Sequence, residues 1–309
     1  MTVPATAPRP ADDGAPAPAG RTAATPATGD APAGAEVLER QRLRHPLAVR
    51  HLRVLRTTRL SDRLLRITAG GDSLAGFTAP GPADHVKLFV PDPVTGELHA
   101  PTAGPDGLVR PATPPTVRDY TPRAVRPGEL DLDVVLHEGP GPVSAWAAAA
   151  RPGDALAVAG PRGSKLPPAG AAHVLLGGDE TALPALARWL EALPADLPVD
   201  VLLEVADPAD AGYLEGSTTP GTRLHVLARG GAAPGTTTLL AEAARALPPR
   251  PGPGFAWFAG EAGSLVPLRR WLRHDSPFHR GNVAVDGYWK RGVVALDHHA
   301  PIDPADPDE

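Results

Sequence analysis

Two hydrophobic patterns follow one another along this chain of 309 residues, and the change between them near Ala171 constrains the fold most. Before it, short segments such as residues 85–90 and 130–137 alternate between polar and apolar residues and are separated by Pro and Gly turns. This pattern is typical of antiparallel strands. A single short helix is expected there, at residues 143–150. We therefore predict a small antiparallel β-barrel for the first half.

The second half alternates apolar strands with amphipathic helices. Strands are predicted at residues 173–176, 199–205, 223–227 and 255–259, and helices at residues 180–193, 236–247 and 263–273. This alternation is typical of a parallel sheet with helices on both faces, the doubly wound, Rossmann-like α/β fold. The predicted domains are a barrel at residues 37–169 and an α/β domain at residues 170–299.

Both ends of the chain are predicted to be disordered. Residues 1–36 consist mostly of Ala, Pro and Gly, and residues 300–309 are rich in Pro and Asp. Such segments cannot bury enough apolar surface to offset the entropy lost on ordering. The chain as a whole is 42% hydrophobic, which is sufficient for a substantial core between them.

Charge and hydropathy exclude several classes of protein. A net charge of −5 argues against a general nucleic-acid-binding protein, which usually carries a basic excess. The sequence contains no run of roughly 18 apolar residues, the length of a membrane span. Its N-terminus lacks the apolar segment of a secretory signal. We expect a cytoplasmic protein without membrane insertion, and a monomer as the default state.

The chain contains no cysteine. This excludes disulfides, thiolate nucleophiles, Cys-ligated zinc and iron–sulfur clusters. Any redox chemistry must therefore belong to a bound cofactor, and we predict no metal-ligand set in the chain itself.

The strongest local motif is the hexapeptide at residues 118–123, Arg-Asp-Tyr-Thr-Pro-Arg. In an extended chain, Arg118 and Tyr120 lie on one face and Asp119 and Thr121 on the other. A planar cation beside an aromatic ring suits a flat ring system that carries a phosphate. The alternative is an ordinary exposed strand.

A Gly/Pro-rich turn runs into the predicted short helix near Ser144. The free N–H groups of a helix start and the helix dipole form an anion site, and the Ser144 hydroxyl adds a donor. Many helices begin after glycine without binding anything, and His137 could equally be a strand-end histidine.

Two further motifs lie at predicted strand ends. Residues 177–184 occupy a strand-to-helix turn, where open α/β sheets bind ligands. Residues 286–292 place Tyr288 and Trp289 beside two cations, which could receive a flat anionic ligand. For residues 177–184, the alternative is that the two acids simply favour the start of a helix. For residues 286–292, the alternative is a buried aromatic anchor with solvated basic neighbours.

The order of these motifs resembles the siderophore-interacting protein family, a branch of the ferredoxin–NADP reductase-like flavoproteins. The resemblance covers residues 43–298 and rests on residues 85–90, 118–123, 137–147, 178–184, 259–261 and 287–292. It implies an FAD-binding barrel followed by a nicotinamide-binding domain.

The resemblance also implies roles for individual residues. Arg118 would hold a flavin phosphate, Tyr120 would pack on the isoalloxazine, and Thr121 would lie near its redox-active nitrogen. The implied pyrophosphate turn and its flanks are His137, Gly141, Pro142, Val143, Ser144 and Trp146. The implied nicotinamide segments are Asp179, Glu180, Thr181, Ala182, Gly260 and Glu261, with Tyr288 and Trp289 as aromatic neighbours. Tyr120, Thr121 and Glu261 are the implied catalytic residues, and Lys87, Lys290 and Arg291 the implied substrate-binding cations.

By the same resemblance, the expected activity is reduction of iron(III) held by a siderophore. A nicotinamide releases two electrons as hydride whereas iron(III) accepts one, so a flavin is needed between them. NADPH, NADH and a ferredoxin are candidate donors: Asp207 and Asp210 favour NADH, whereas Arg223 and Arg229 favour NADPH. The alternative functions are a free-flavin reductase, the reductase component of an oxygenase, a non-enzymatic siderophore carrier and a purely structural protein.

Overall fold

The computed structural model describes residues 36–104, 107–137, 139, 141–297 and 300–307. These residues belong to one compact unit, Pro32–Glu309. The predicted disordered N-terminal tail lies outside the described residues except for residue 36, and so do His298 and His299.

The first half contains eleven strands and one α-helix in its described part. They are β1 (Arg42–Arg44), β2 (Val49–Arg59), β3 (Leu64–Gly70), β4 (Val86–Val90), β5 (Thr102–Gly104), β6 (Gly107–Val109), β7 (Thr116–Tyr120), β8 (Pro122–Arg126), β9 (Glu129–Val135), α1 (Pro142–Ala149), β10 (Ala155–Ala159) and β11 (Gly163–Lys165). The second half contains β12 (His173–Gly178), α2 (Leu183–Ala192), β13 (Val199–Val205), β14 (Thr222–Ala228), α3 (Leu239–Ala246), β15 (Gly254–Glu261), α4 (Ala262–His274) and β16 (Val283–Trp289).

Seven strands of the first half form one curled antiparallel sheet, in the order β7-β4-β10-β2-β3-β9-β8. β7 and β8 lie at opposite edges of this sheet, although Thr121 alone joins them in the chain. The sheet must therefore curl until its edges meet at Thr121. Its inner face is apolar, with Ile67, Val86 and Leu132 fully buried. The predicted barrel is confirmed as this curled half-barrel.

Five parallel strands form the second sheet, in the order β14-β13-β12-β15-β16. Trp189 of α2 packs with Val201 on one face, and Leu268 of α4 packs with Leu202 on the other. Neighbouring residues of β13 thus enter different cores, because helices cover both faces. From β12 the chain adds β13 and then β14 on one side of the sheet, and it then returns to add β15 and β16 on the other side. The strand order therefore reverses between β12 and β15. The carboxyl ends of these two strands therefore form the crevice where doubly wound sheets bind ligands.

The two sheets contact each other through α2. Leu64 of β3 belongs to the core cluster that surrounds α2. The Arg188 guanidinium donates a hydrogen bond to the carbonyl oxygen of Ala79 in the first half, and Arg123 of β8 pairs with Glu191 of α2 at 2.6 Å. These contacts hold Thr121 close to the carboxyl edge of the parallel sheet.

Three sequence expectations need correction. Residues 91–115 are mostly turn-forming residues, which predict a long exposed loop. They instead contain the β5–β6 hairpin, and Leu98 packs against a small cluster around Phe89. Residues 300–307 of the predicted disordered C-terminal tail contact the folded protein, since Asp303 is 3% exposed and pairs with Arg270 at 2.5 Å. Arginines of α4 are the ion-pair partners of Asp303 and Asp306, which the composition of the tail alone does not predict. Helix α2 begins at Leu183, after a 3₁₀ turn at Glu180–Ala182.

Candidate functional site

The half-barrel side of the site is the end of β7. Arg118 and Tyr120 alternate with Asp119 along this edge strand, and both are half-buried. The Tyr120 ring packs against the half-barrel core, and burial raises the pKa of its hydroxyl to about 12. The Arg118 guanidinium donates to the Val117 carbonyl at 2.6 Å and forms no ion pair with a described carboxylate. It therefore keeps donors for an anionic ligand.

Helix α1 lies against β7 and begins with Gly141 as its N-cap and Pro142 as its first residue. The N-cap supplies no side-chain hydrogen bond to the helix start. A Cβ at Gly141 would meet no described atom within 4 Å, so a ligand can approach the backbone there. The N–H groups of Val143 and Ser144 are thus candidate phosphate donors.

Ser144 differs from the sequence expectation. Its side chain is buried, and its hydroxyl donates to the Val135 carbonyl at 3.0 Å. A hydroxyl has one hydrogen, so it is not available as a phosphate donor. Trp146 packs half-buried against the half-barrel core, whereas His137 is exposed just after β9.

The α/β side of the site is built around the carboxylate of Asp179, directly after β12. Asp179 is 6% exposed and accepts from the Thr181 N–H at 2.9 Å and the Thr181 hydroxyl at 2.5 Å. Its other oxygen accepts from the Glu261 N–H at 3.1 Å and from the Trp289 indole N–H at 2.8 Å. Burial raises the pKa of Asp179 to about 6, although the bonds from Thr181 and Trp289 oppose this shift. One side chain thus joins the ends of β12, β15 and β16.

Glu261 ends β15 and is the N-cap of α4. Its carboxylate oxygens accept from the Ser264 N–H at 2.5 Å and the Arg291 N–H at 3.0 Å. Both oxygens are therefore engaged, and the side chain is 4% exposed. This geometry orients α4 and the loop after β16.

Gly260 lets Glu261 reach that position. Its φ is +152°, and a Cβ there would lie 2.8 Å from an Asp179 carboxylate oxygen. Only glycine combines this backbone conformation with such close approach.

Glu180 does not face the crevice as the sequence implied. It is 6% exposed, accepts from the Ala206 N–H at 2.8 Å, and forms a bidentate ion pair with buried Arg229. Glu204 lies 3.7 Å from the same guanidinium. Because Glu180 is paired with Arg229 and Ala182 is completely buried, both residues stabilise the fold and neither is presented to a ligand.

Tyr288 joins the two sides of the site. It contacts Trp257 edge to face at 6.4 Å, and its hydroxyl is buried without a hydrogen bond of normal geometry to any described residue. Burial and the Asp286 carboxylate raise its pKa, which neighbouring Thr121 partly offsets. Asp286, which accepts from the Trp257 indole at 2.9 Å, was missed from the sequence. Period-two alternation from Tyr288 would have placed it on the same face of β16.

The predicted substrate cations do not all converge. Lys87 is paired across strands with Asp119 and bonds its carboxylate at 3.1 Å. Lys87 therefore lies on the same face of the sheet as Asp119, opposite to Arg118 and Tyr120, and its charge is compensated. Lys290 and Arg291 have exposed side chains at the carboxyl end of β16, next to Trp289.

Comparison with known proteins agrees with this architecture. Two family models match: "Siderophore-interacting FAD-binding domain" at residues 53–165 and "Siderophore-interacting protein" at residues 171–292. The ferric vibriobactin reductase ViuB of Vibrio cholerae is 32% identical over 254 residues, which cover 81% of this chain and 92% of the relative. This chain belongs to the siderophore-interacting protein family.

Other members of the siderophore-interacting protein family are more similar still. The NADPH-dependent ferric-chelate reductase of Escherichia coli is 46% identical over 180 residues, which cover 56% of this chain and 70% of the relative. The crystal structure of a siderophore utilization protein from T. fusca matches with a TM-score of 0.79 and 43% identity, covering 85% of this chain and all of that one.

The residues present fit an FAD, the group named by the matched half-barrel family model. An arginine without a carboxylate partner, an open helix start and a half-buried tyrosine lie together along β7 and α1. The buried Tyr288 hydroxyl across the crevice would gain a polar partner from a bound ring system.

Proposed function

We propose that this protein is an FAD-dependent reductase of ferric siderophores that takes electrons from a reduced nicotinamide dinucleotide. The observation that carries the proposal is the meeting of two half-sites. An anion-binding edge with an aromatic ring, around Arg118 and Tyr120, faces the nucleotide crevice at Asp179 and Glu261 through the Thr121–Tyr288 contact.

The protein's part in this reaction is binding and orientation. FAD, when bound, accepts two electrons as hydride and passes them on one at a time. Arg118 and the N–H groups at the start of α1 would hold its phosphates, and Tyr120 would hold its ring. Asp179 and Glu261 would keep the ends of β12, β15 and β16 in register, so that the nicotinamide is held against the flavin side of the crevice.

The exposed cations after β16 suit an anionic substrate. Siderophore oxygen donors are hard and anionic, so their ferric complexes are often negatively charged. Lys290 and Arg291 are exposed beside Trp289 and would attract such a complex despite the net charge of −5. One dinucleotide supplies two electrons, which reduce two iron(III) complexes to iron(II) and leave one oxidised dinucleotide and one proton. Iron(II) binds hard oxygen donors more weakly and is released.

The test is an anaerobic absorbance titration of the purified, desalted protein. We expect a yellow protein whose flavin band bleaches with a nicotinamide dinucleotide and recovers when a ferric siderophore is added, with iron(II) trapped by a chelator. A colourless protein that takes up no added FAD would contradict the proposal and favour a siderophore carrier. A flavin lost on desalting would favour a free-flavin reductase.

A ferredoxin is the second candidate donor. The crevice at the β12–β15 switch point favours a dinucleotide, because open α/β sheets bind ligands at this position. Of the part of the chain that the structure describes, no helix is long and apolar enough to cross a membrane.

A further inference from the structure

The direction in which a dinucleotide lies across the parallel sheet follows from the proposed function. Hydride transfer requires the nicotinamide to lie next to the flavin. In the proposed function the two rings would meet near Thr121, Asp179 and Tyr288, which are neighbours in the structure. In the strand order β14-β13-β12-β15-β16, the adenosine end must then extend from β12 over the carboxyl ends of β13 and β14. The loops after these two strands therefore meet the adenosine ribose, which carries a 2′-phosphate in NADPH and a 2′-hydroxyl in NADH.

These loops contain one basic residue. Residues 206–221 and 229–238 include no lysine, no histidine and a single arginine, Arg229. That arginine is 6% exposed, donates to both carboxylate oxygens of Glu180 and lies 3.7 Å from a Glu204 oxygen. Its charge is consequently compensated twice, and its guanidinium is not presented to a ligand.

Arg223, the other basic residue that favoured NADPH in the sequence, lies at the wrong end of the sheet. It pairs in register with Asp200, the second residue of β13, whereas β13 ends at Val205. In parallel strands this places Arg223 at the amino edge, several residues away from the ligand crevice.

Two arginines of the half-barrel approach the loop after β13, and both are already paired. Arg66 and Arg123 line a cavity of about 410 Å³ together with Asp210. Arg66 forms two 2.7 Å bonds to the Asp133 carboxylate, and Arg123 forms bonds of 2.6 and 3.1 Å to Glu191.

This loop contains three acidic residues, of which exposed Glu215 follows the 3₁₀ turn at Pro208–Leu214, away from the end of β13. The two acids nearest the end of β13 differ in burial. Asp210 is 4% exposed and accepts from the Ser61 hydroxyl at 2.7 Å. Asp207 is exposed, and one of its carboxylate oxygens accepts from the Ala209 N–H at 2.9 Å. Its second oxygen has no protein partner in this described segment. A carboxylate at the end of the second strand of such a sheet accepts a hydrogen bond from the ribose 2′-hydroxyl and repels a 2′-phosphate.

We infer that Asp207 makes NADH the preferred electron donor of this protein over NADPH. The inference rests on the proposed function, because it takes the crevice to be the dinucleotide site. It separates this chain from its E. coli relative, which is named for NADPH. A 2′-phosphate held a few ångströms from an exposed carboxylate in water is disfavoured by about tenfold.

The test is calorimetric titration of the FAD-loaded protein with NAD⁺ and with NADP⁺, which measures binding without turnover. We expect NADP⁺ to bind about tenfold more weakly at low ionic strength, and the difference to shrink as salt screens the carboxylate. Equal or tighter binding of NADP⁺ overturns the inference.

The matched variants are Asp207→Asn and Asp196→Asn. In Asp207→Asn the amide side chain retains an oxygen for the Ala209 N–H, so the 3₁₀ turn at Pro208–Leu214 keeps its cap while the charge is lost. We expect this variant to bring the two dissociation constants to within about threefold. Asp196 is exposed in the loop that precedes β13, at the amino edge of the sheet, and its substitution changes the same charge. An Asp207→Asn variant that keeps the wild-type ratio, or an Asp196→Asn variant that changes it equally, contradicts the role of Asp207.

Anaerobic flavin reduction separates this inference from the proposed function. A higher second-order rate constant of flavin reduction with NADH than with NADPH supports both the donor preference and the reductase proposal. Faster reduction by NADPH overturns the donor preference and leaves the reductase proposal standing. Reduction by neither dinucleotide overturns both and directs attention to a ferredoxin.

Discussion

The indole N–H of Trp289 donates a 2.8 Å hydrogen bond to the Asp179 carboxylate, 110 residues earlier in the chain. The same carboxylate oxygen accepts from the Glu261 N–H. A single buried acid thus ties the aromatic end of β16 to the switch point of the sheet. Several properties of the site should depend on its charge.

We expect the Trp289 indole proton to titrate with Asp179. The pKa of Asp179 is raised to about 6, so below that pH the acid gains a proton and accepts the indole bond more weakly. The Trp289 indole N–H resonance, assigned through Trp289→Phe, should shift with a midpoint near pH 6. The Trp189 indole, buried without a partner in the described structure, is the internal control. A flat Trp289 resonance between pH 5 and 8 would contradict this assignment.

The same pKa predicts how stability changes with pH. Because the folded pKa lies above the ordinary value of 3.8, the folded state holds the proton more tightly. This contribution is complete below pH 4, declines as pH rises to about 6 and is absent above it, a total of about 3 kcal/mol. Asp179→Asn removes the titration. The difference in unfolding free energy between wild type and variant should therefore change between pH 4 and 6 and be constant from pH 7 to 8.

Substitution of Gly260 should damage the site through the backbone. Gly260→Ala places a Cβ 2.8 Å from the Asp179 carboxylate at a φ of +152°. We expect a loss of about 1–3 kcal/mol in unfolding free energy, together with weaker dinucleotide binding. Gly216→Ala is the control, because its Cβ meets no described atom within 4 Å and its φ is not positive. Equal melting temperatures for the two variants would show that Gly260 is not constrained.

The buried arginine beneath the crevice is predicted to be essential for stability. Arg229→Gln leaves the Glu180 and Glu204 carboxylates buried without a cation, at a cost of about 3–5 kcal/mol. Urea unfolding measures the loss. The double variant Glu180→Gln/Arg229→Gln should recover part of it, since one uncompensated charge is removed. Arg223→Gln changes an exposed residue at the amino end of β14, away from this cluster, and should change stability by less than about 0.5 kcal/mol.

Flavin affinity should depend on Arg118. Removal of one charge-assisted contact to a phosphate costs about 1.5–3 kcal/mol, so Arg118→Gln is expected to weaken FAD binding by about 10- to 100-fold. Fluorescence titration of the apoprotein with FAD measures this. Arg151→Gln is the control, because Arg151 is exposed just beyond the opposite end of α1. Wild-type flavin content in the Arg118 variant would refute the phosphate role.

Substrate capture should depend on the exposed cations after β16. The variant Lys290→Gln/Arg291→Gln is expected to raise KM for an anionic ferric siderophore several-fold with little change in kcat, because these side chains act on encounter rather than on electron transfer. The backbone N–H bond from position 291 to Glu261 is retained in this variant. A change in kcat alone would argue against this role. The effect should decline with rising salt.

Much of the architecture followed from local patterns. Period-two alternation and Pro/Gly turns predicted the antiparallel sheet, and the strand–helix alternation after Ala171 predicted the parallel one. The family resemblance implied roles for Asp179, Glu261 and Trp289, and hydrogen bonds join these three residues in the structure. These are properties of residue type and spacing, which a sequence displays directly.

Other properties depend on partners that are distant in the chain. Glu180 and Arg229, 49 residues apart, neutralise each other in the core, whereas the sequence offered both as ligand contacts. Lys87 is compensated by Asp119 across a strand pair, and Ser144 uses its hydroxyl inside the fold. Asp303 and Asp306, near the end of the chain, form ion pairs with arginines of α4.

The sequence by itself determined the two sheets and, through its lack of cysteine, that redox chemistry must belong to a bound cofactor. Only the tertiary structure decided which charges remain available to a ligand. The physical reason is that burial and pairing are set by contacts between strand ends and loops far apart in sequence. Arg229 and Asp207 follow neighbouring strands, yet one is neutralised in the interior and the other remains exposed at the crevice.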